Sequence, residues 1–281
     1  MLNRSLKLII NHQFCIAKYM KKIATVLLLN LGIMGCISNI AWGQNAAIPE
    51  ELTEIIVGIE NAANERDIEA VKEYYSDDFT NSDGLTTDNL VEVLTQMWRD
   101  YPQLEYTTEI ESWSESEDEL VAETLTTIEG IQDKSGREAK LKSTIKSRQY
   151  FQGQKLVRQE IISEQSQLTS GENPPQVEVV APDTATVGEK YSFDLIVNRP
   201  LEDQILLGAV TEEKTAANLY LNPASLELEQ LPAGGIYKIA TAPETPESNW
   251  LSAILVRGDG ITMITHRVNI EPDEIEPEDA E

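Results

Sequence analysis

The residue types that do nucleophilic, redox or soft-metal chemistry are scarce in this chain and poorly spaced for it. There are two cysteines and two histidines. Cys15, Cys36 and His12 fall within the first 43 residues, and His266 stands alone near the end. This excludes a four-cysteine zinc site, a disulfide framework and a Ser–His–Asp triad built on a first-half histidine. No metal and no cofactor is expected. What remains is carboxylates, hydroxyls and aromatic rings. Asp83 lies in Asn81-Ser82-Asp83-Gly84, which matches the middle of a calcium-binding EF-hand loop. The first loop position would be Phe79 and the twelfth Leu90, neither of which binds calcium through its side chain. Asp83–Gly84 also reads as an ordinary turn dipeptide. Lys140, Lys142, Lys146 and Arg148 alternate along one strand-like run. They form either a cationic stripe for an anion or a solvated face balanced by nearby acids, and the second reading is preferred. Arg257-Gly258-Asp259 spells an adhesion tripeptide but is better explained as a tight hairpin turn.

Charge narrows the partners. The 281 residues carry 48 acidic and 22 basic side chains, a formal charge of −26. A nucleic-acid binder needs a basic face, so that class is excluded. Residues 1–43 hold five of the basic residues and no acidic one. Met20, Lys21 and Lys22 precede an apolar run from Ile23 to Ile37, and Ala41-Trp42-Gly43 ends the segment. A basic start, an apolar middle and a small-residue end make a secretory signal peptide over 1–43, with Met20 the expected start and cleavage after Gly43. The address is therefore periplasmic or extracellular. The apolar run is short for a membrane span, and the mature chain is expected to have none. Ile33-Met34-Gly35-Cys36 resembles a bacterial lipobox, which makes lipidation at Cys36 the alternative to soluble export. After cleavage 17 basic and 48 acidic residues remain, a charge of −31, with no cysteine and one histidine.

Elements must position whatever chemistry is left. Leu52, Ile55, Ile56, Ile59, Ala62 and Ala63 recur at helical spacing after Pro49. Asp67 can cap a short second helix through Ile68, Val71, Tyr74 and Tyr75, and a brief strand and turn follow over 77–84. A third helix starts near Thr87 and ends before Pro102. Beyond Pro102 the period changes from 3.6 to 2, giving four strand-like runs up to Ile162. Three helices on one face of a curved antiparallel sheet make an α+β domain over 50–165. The polar run 166–175, with Pro174-Pro175 at its end, reads as a linker. Seven short strands over 176–270, with turn signals and no helical stripe, indicate an all-β sandwich. The last residues, 271–281, are acidic and expected to be disordered.

Two resemblances sharpen this. The phrases Asp67-Ile68-Glu69-Ala70-Val71-Lys72-Glu73-Tyr74-Tyr75-Ser76-Asp77-Asp78-Phe79 and Arg148-Gln149-Tyr150-Phe151-Gln152-Gly153-Gln154-Lys155-Leu156-Val157 resemble the NTF2-like superfamily, which includes SnoaL-like and ketosteroid-isomerase-like proteins. That resemblance implies a cone-shaped fold and is nearly silent about function. Val187-Gly188-Glu189-Lys190-Tyr191-Ser192-Phe193 resembles bacterial immunoglobulin-like accessory domains. The expected architecture is thus an α+β cone followed by an immunoglobulin-like sandwich. In the isomerase-like members an Asp after the second helix is the general base, and Asp83 falls at that place. Such enzymes also need a Tyr on the first helix and a protonated acid on a late strand, and this chain offers neither at those positions. Tyr74, Tyr75, Trp98, Tyr106 and Trp113 could line a pocket for a small apolar ligand, although filling the core is the simpler role. The favoured expectation is a non-enzymatic exported protein with a ligand-binding or dimerisation module and an accessory domain for surface contacts. The sheet of the first half pairing with a second copy is one form of it. The alternative is an isomerase or cyclase using Asp83.

Overall fold

The computed structural model describes residues 47–273 apart from 117–118, 135, 199–204, 224 and 232–233. The signal peptide, Cys36 and the tail beyond Asp273 lie outside the described residues. Three helices form as their apolar spacing requires. α1 (Glu50–Glu65) buries Leu52, Ile55, Ile56, Ala62 and Ala63 and ends on Arg66 in the left-handed conformation, φ 59°. α2 (Ile68–Glu73) is capped by the Asp67 carboxylate, which accepts from the N–H groups of Glu69 and Ala70. α3 (Thr87–Asp100) buries Leu90, Val93, Leu94 and Met97, with Thr86 as its N-cap. No helix among the described residues is long and apolar enough to cross a membrane.

The strands do not divide into a cone and a separate sandwich, and that expectation is corrected. β1 (Tyr75–Asn81), β2 (Gln103–Ser116), β3 (Glu119–Lys134), β4 (Arg137–Gln152) and β5 (Lys155–Gly171) come from the first half. β6 (Val177–Val180), β7 (Thr184–Thr186), β8 (Lys190–Val197), β9 (Leu207–Lys214), β10 (Glu229–Gln230), β11 (Gly235–Thr241), β12 (Glu247–Arg257) and β13 (Gly260–Glu271) follow. Ten of them join one sheet, in the order β10-β9-β12-β13-β5-β4-β3-β2, with β1 on β5 and β7 on β13. The remaining three form a small sheet, β11-β8-β6. The architecture is therefore dominated by a large, mainly antiparallel sheet that runs through both halves.

β5 is the reason. The stretch expected to open a linker at 166 instead continues as strand to Gly171. Its outer half pairs with β4 on one side, Leu168 opposite Leu141, and with β13 on the other, Leu168 opposite Met263. Ser166 and Leu168 are buried while Gln165 and Thr169 are not, so a period of 2 is present but written mostly in polar residues. A ladder held by backbone bonds does not require an apolar sequence, and composition mistakes such a strand for a linker.

Register shows which face each layer covers. Cross-strand partners share a face. Leu141, Leu168 and Trp250 belong to the same core as the helical residues Leu52, Ile56 and Leu94. Leu251, Ile264 and Val268, which point the other way from Trp250 and Arg267, pack instead with Phe193, Leu195 and Ile236 of the small sheet. The helices and the small sheet thus lie on opposite faces of the large sheet. At its β2 edge, the Asn64 amide of α1 bonds both the N–H and the C=O of Tyr106, at 2.8 and 2.9 Å. Glu60 takes the Thr108 N–H at 2.6 Å. Helix side chains thereby satisfy a stretch of edge that would otherwise invite another strand.

Candidate functional site

Asp83 is held by its turn before anything else touches it. The Asn81 carboxamide oxygen accepts from the N–H of Asp83 at 3.0 Å and of Leu85 at 2.6 Å. Gly84 sits at φ 79°, a conformation that favours glycine, and its N–H bonds Asn81 O at 3.1 Å. This Asx-type turn aims Asp83 inward, under the second half of the chain, where Arg267 of β13 meets it. The guanidinium donates from Nη1 to Oδ1 at 3.0 Å and from Nη2 to Oδ2 at 2.7 Å, a two-point contact. The Tyr220 hydroxyl, from a 3-10 turn at Ala217–Tyr220, also donates to Oδ2. Arg267 spends its Nε–H on Glu164 Oε2 of β5 at 3.0 Å, and the Trp250 indole N–H of β12 reaches the same oxygen at 3.2 Å. The rings of Tyr220 and Trp250 meet edge to face at 5.1 Å. Arg267 has 0% exposure, and the Asp83 and Glu164 side chains are equally sealed.

The electrostatics follow from that seal. Burial, and then the Asp83 charge, push the Glu164 carboxyl up to about 7 against the opposing pull of Arg267. Burial alone would favour a neutral Arg267, but Asp83 and Glu164 outweigh it and hold the guanidinium charged. Burial, with Asp83 beside it, raises the Tyr220 hydroxyl well above the ordinary range, so it stays protonated and keeps donating.

The cavity lies elsewhere. It encloses about 70 Å³ between the helices and the sheet, with Ile56, Val71, Tyr75, Tyr106, Ile128 and Gln159 among its walls. Asp83 is not among its lining residues. Pockets that hold drug-sized ligands measure roughly 300–1,000 Å³, and a single water occupies about 30 Å³ of liquid. Of the five aromatics expected at a pocket, Tyr75 and Tyr106 line this space. Tyr74 instead packs its hydroxyl end over Gly58, where an added Cβ would come within 2.2 Å of the oxygen. Trp98 and Trp113 pack half-buried against the core. Burial raises the hydroxyls of both Tyr75 and Tyr106, so neither is an anionic group at neutral pH.

The other motifs resolve into structure. Arg257 donates from Nε to Asp259 Oδ1 at 3.2 Å and from Nη2 to Asn173 O at 2.6 Å, which ties the tripeptide into its own hairpin. Lys142 pairs with Glu129, Lys146 with Glu111, and Arg148 with Glu123 and Glu160. His266 Nε2 lies 3.0 Å from Pro182 O. No group of three or more metal-ligating side chains occurs among the described residues.

Sequence reasoning singled out Asp83 and missed its four neighbours, which come from β5, a 3-10 turn, β12 and β13. One signal was available: Arg267 interrupts Ile261–Ile270, a strand with no other Lys, Arg, Asp or Glu, and a lone charge inside an apolar strand demands a partner.

Comparison with the curated proteins finds no match. Among solved structures, Bd1075 of Bdellovibrio bacteriovorus is similar at 17% identity and a TM-score of 0.29, over 40% of this chain and 39% of that one. AclR of Streptomyces galilaeus is similar at 16% identity and 0.30, over 40% and 74%. An LEH-like epoxide hydrolase of M. tuberculosis is similar at 13% and 0.30, over 40% and 84%. The chain thus spans less than half the length of Bd1075, and scores at this level carry neither fold nor activity across. The family model that matches is described as a domain of unknown function (DUF8623), and it covers residues 172–271, from the end of β5 to the end of β13.

Proposed function

We propose that this protein is an exported, non-enzymatic module that makes protein contacts through its second half. The observation that carries this reading is the state of Asp83. A general base must reach a substrate proton with a free lone pair. The Asp83 carboxylate is spent on Arg267 and Tyr220, and it does not border the apolar space of about 70 Å³ between helices and sheet, which is small for a substrate. The first half, with its NTF2-like phrases, serves as scaffold, and its outer sheet face is covered by paired charges.

The contact surface is the outer face and free edge of the small sheet. Tyr237 and Ile239 of β11 are 59% and 75% exposed, and Val180 of β6 stands on the same face. Val197 N–H bonds Gly234 O and Ala242 N–H bonds Glu189 O, so even-numbered residues turn their backbone groups toward β8. Gly235, Tyr237, Ile239 and Thr241 therefore turn theirs to the edge. The occupant that fits is an extended strand of a partner protein, added to this edge with apolar side chains meeting Tyr237 and Ile239.

A photo-crosslinking residue placed at Tyr237, in cells that export the full chain, tests this against the same probe at Lys142. A discrete protein adduct at 237 and none at 142 is expected. Adducts only at 142 overturn it. So does native mass spectrometry showing a retained organic molecule of a few hundred daltons displaced by Tyr106→Phe, because the first half would then be the working part.

A further inference from the structure

Two carboxylates and one guanidinium are shut away from water where the halves meet. Arg267 closes both oxygens of Asp83 and gives Glu164 a single N–H. Charge therefore balances between Arg267 and Asp83, and an ionised Glu164 is a surplus negative charge with no cation of its own. Its two oxygens differ as well. Oε2 accepts from Arg267 and Trp250, whereas Oε1 has no hydrogen-bond partner. A bare carboxylate oxygen in a sealed wall is costly, and a neutral carboxyl is far less so.

We infer that Glu164 holds a proton in the closed molecule, and that losing it loosens the joint between the two halves. The groups facing Glu164 are few. Asp83 comes from the turn after β1, Arg267 from β13, Tyr220 from the 3-10 turn and Trp250 from β12, while the opposing residue on β4 is Ile145. Among these described residues Asp83 is the other acid and Arg267 the cation, while Lys142 and Asp183 share with Glu164 only the lining of a groove to which its sealed side chain is closed. Once ionised, Glu164 repels Asp83 and competes with it for the same guanidinium. The segment that gives way is Ala217–Tyr220, which is held by the Tyr220 hydroxyl, by packing of its side chains on the core beside Trp250 and by local backbone bonds such as Leu219 N–H to Ala216 O, and not by a strand ladder. The large sheet stays continuous through β5 and β13, so the change is a loosening of the seal over Asp83 and not a separation of the halves. The upward displacement of the Glu164 carboxyl places this change near neutral pH.

The test uses the full chain, wild type and Glu164→Gln, unfolded in urea at constant ionic strength from pH 5 to pH 8. Relative to the variant, the wild-type folding constant should fall about tenfold per pH unit between pH 5 and the Glu164 midpoint, the signature of one proton. Backbone hydrogen exchange at 216–222, corrected for its intrinsic pH dependence, should lose protection over the same range in the wild type only. Identical slopes in the two proteins overturn the inference. Should the Gln variant fold poorly, the wild type alone decides: the ¹³C shift of the Glu164 carboxyl must show a neutral acid at pH 5, and an ionised signal there refutes the proposal.

Discussion

Two of the places where the chain sets acids against bases reach similar shortest distances. On the outer face of the first half, a ladder runs from Glu111 through Lys146, Glu123, Arg148 and Glu160 to Arg158, with contacts of 2.6 to 3.9 Å, three of the five at 2.6 to 2.7 Å. At the joint, Asp83, Arg267 and Glu164 meet at 2.7 to 3.0 Å. Their shortest contacts do not separate them, and solvent does. Ladder side chains are 18–37% exposed, whereas those of the joint are at 0%. Exposed pairs contribute about 0–1 kcal/mol each, because water already serves both charges. A buried set need not stabilise relative to an apolar filling, yet removing one member strands the others, at a cost of about 3–5 kcal/mol. The ladder is thus a solubility surface of a highly acidic chain, and the joint is a constraint on how its halves fit.

The largest test of that contrast is Arg267→Ala. It leaves two buried acids without a cation, and urea unfolding at pH 7 should show a loss of about 3–5 kcal/mol. A loss below about 1 kcal/mol would place the joint on a par with the ladder. Next comes pH. The Glu164 carboxyl is raised in the folded state from 4.5 to about 7. A raised folded value means its stabilising contribution is complete below pH 4.5 and is lost as pH rises to 7. The difference in stability between wild type and Glu164→Gln should therefore shift by about 3 kcal/mol across that window and level off above it. No such window is expected for variants of the ladder.

The same contrast explains what could be read beforehand. The three helices were legible because Leu52, Ile55, Ile56 and Leu90, Leu94, Met97 keep a period of 3.6, and Asp67 and Thr86 cap as their types suggest. The basic half of the ladder was partly legible too, since Lys146 and Arg148 follow Lys140 and Lys142 in alternation along a single strand. The joint was not. Its members lie up to 184 residues apart, and local pattern carries no information about such pairs. The large sheet was missed for a related reason: β5 beyond Ser163 is polar, and its pairing with β13 is fixed by backbone bonds between segments distant in sequence. Asp83 drew attention through a resemblance, and its burial under Arg267 gives that position a different occupation.

The smaller effects belong to the ladder and to the more exposed pair beside it, and across these they should grade with exposure. Arg148 is tied to both Glu123 and Glu160 at about one-third exposure, and Arg148→Gln should lower stability by roughly 1 kcal/mol. Lys142 meets Glu129 at 2.7 Å, but the two side chains are 65% and 57% exposed. Each is free to leave the pair for water, and holding both in one geometry costs side-chain entropy. Lys142→Gln should therefore change stability by less than about 0.5 kcal/mol, and raising salt to 0.5 M should erase what difference there is. The joint, closed to ions, should keep its Arg267→Ala difference in the same salt. A Lys142→Gln effect that is large and persists at high salt would mean that distance, and not burial, sets the strength of pairs in this molecule, and the contrast between its two charged regions would fall.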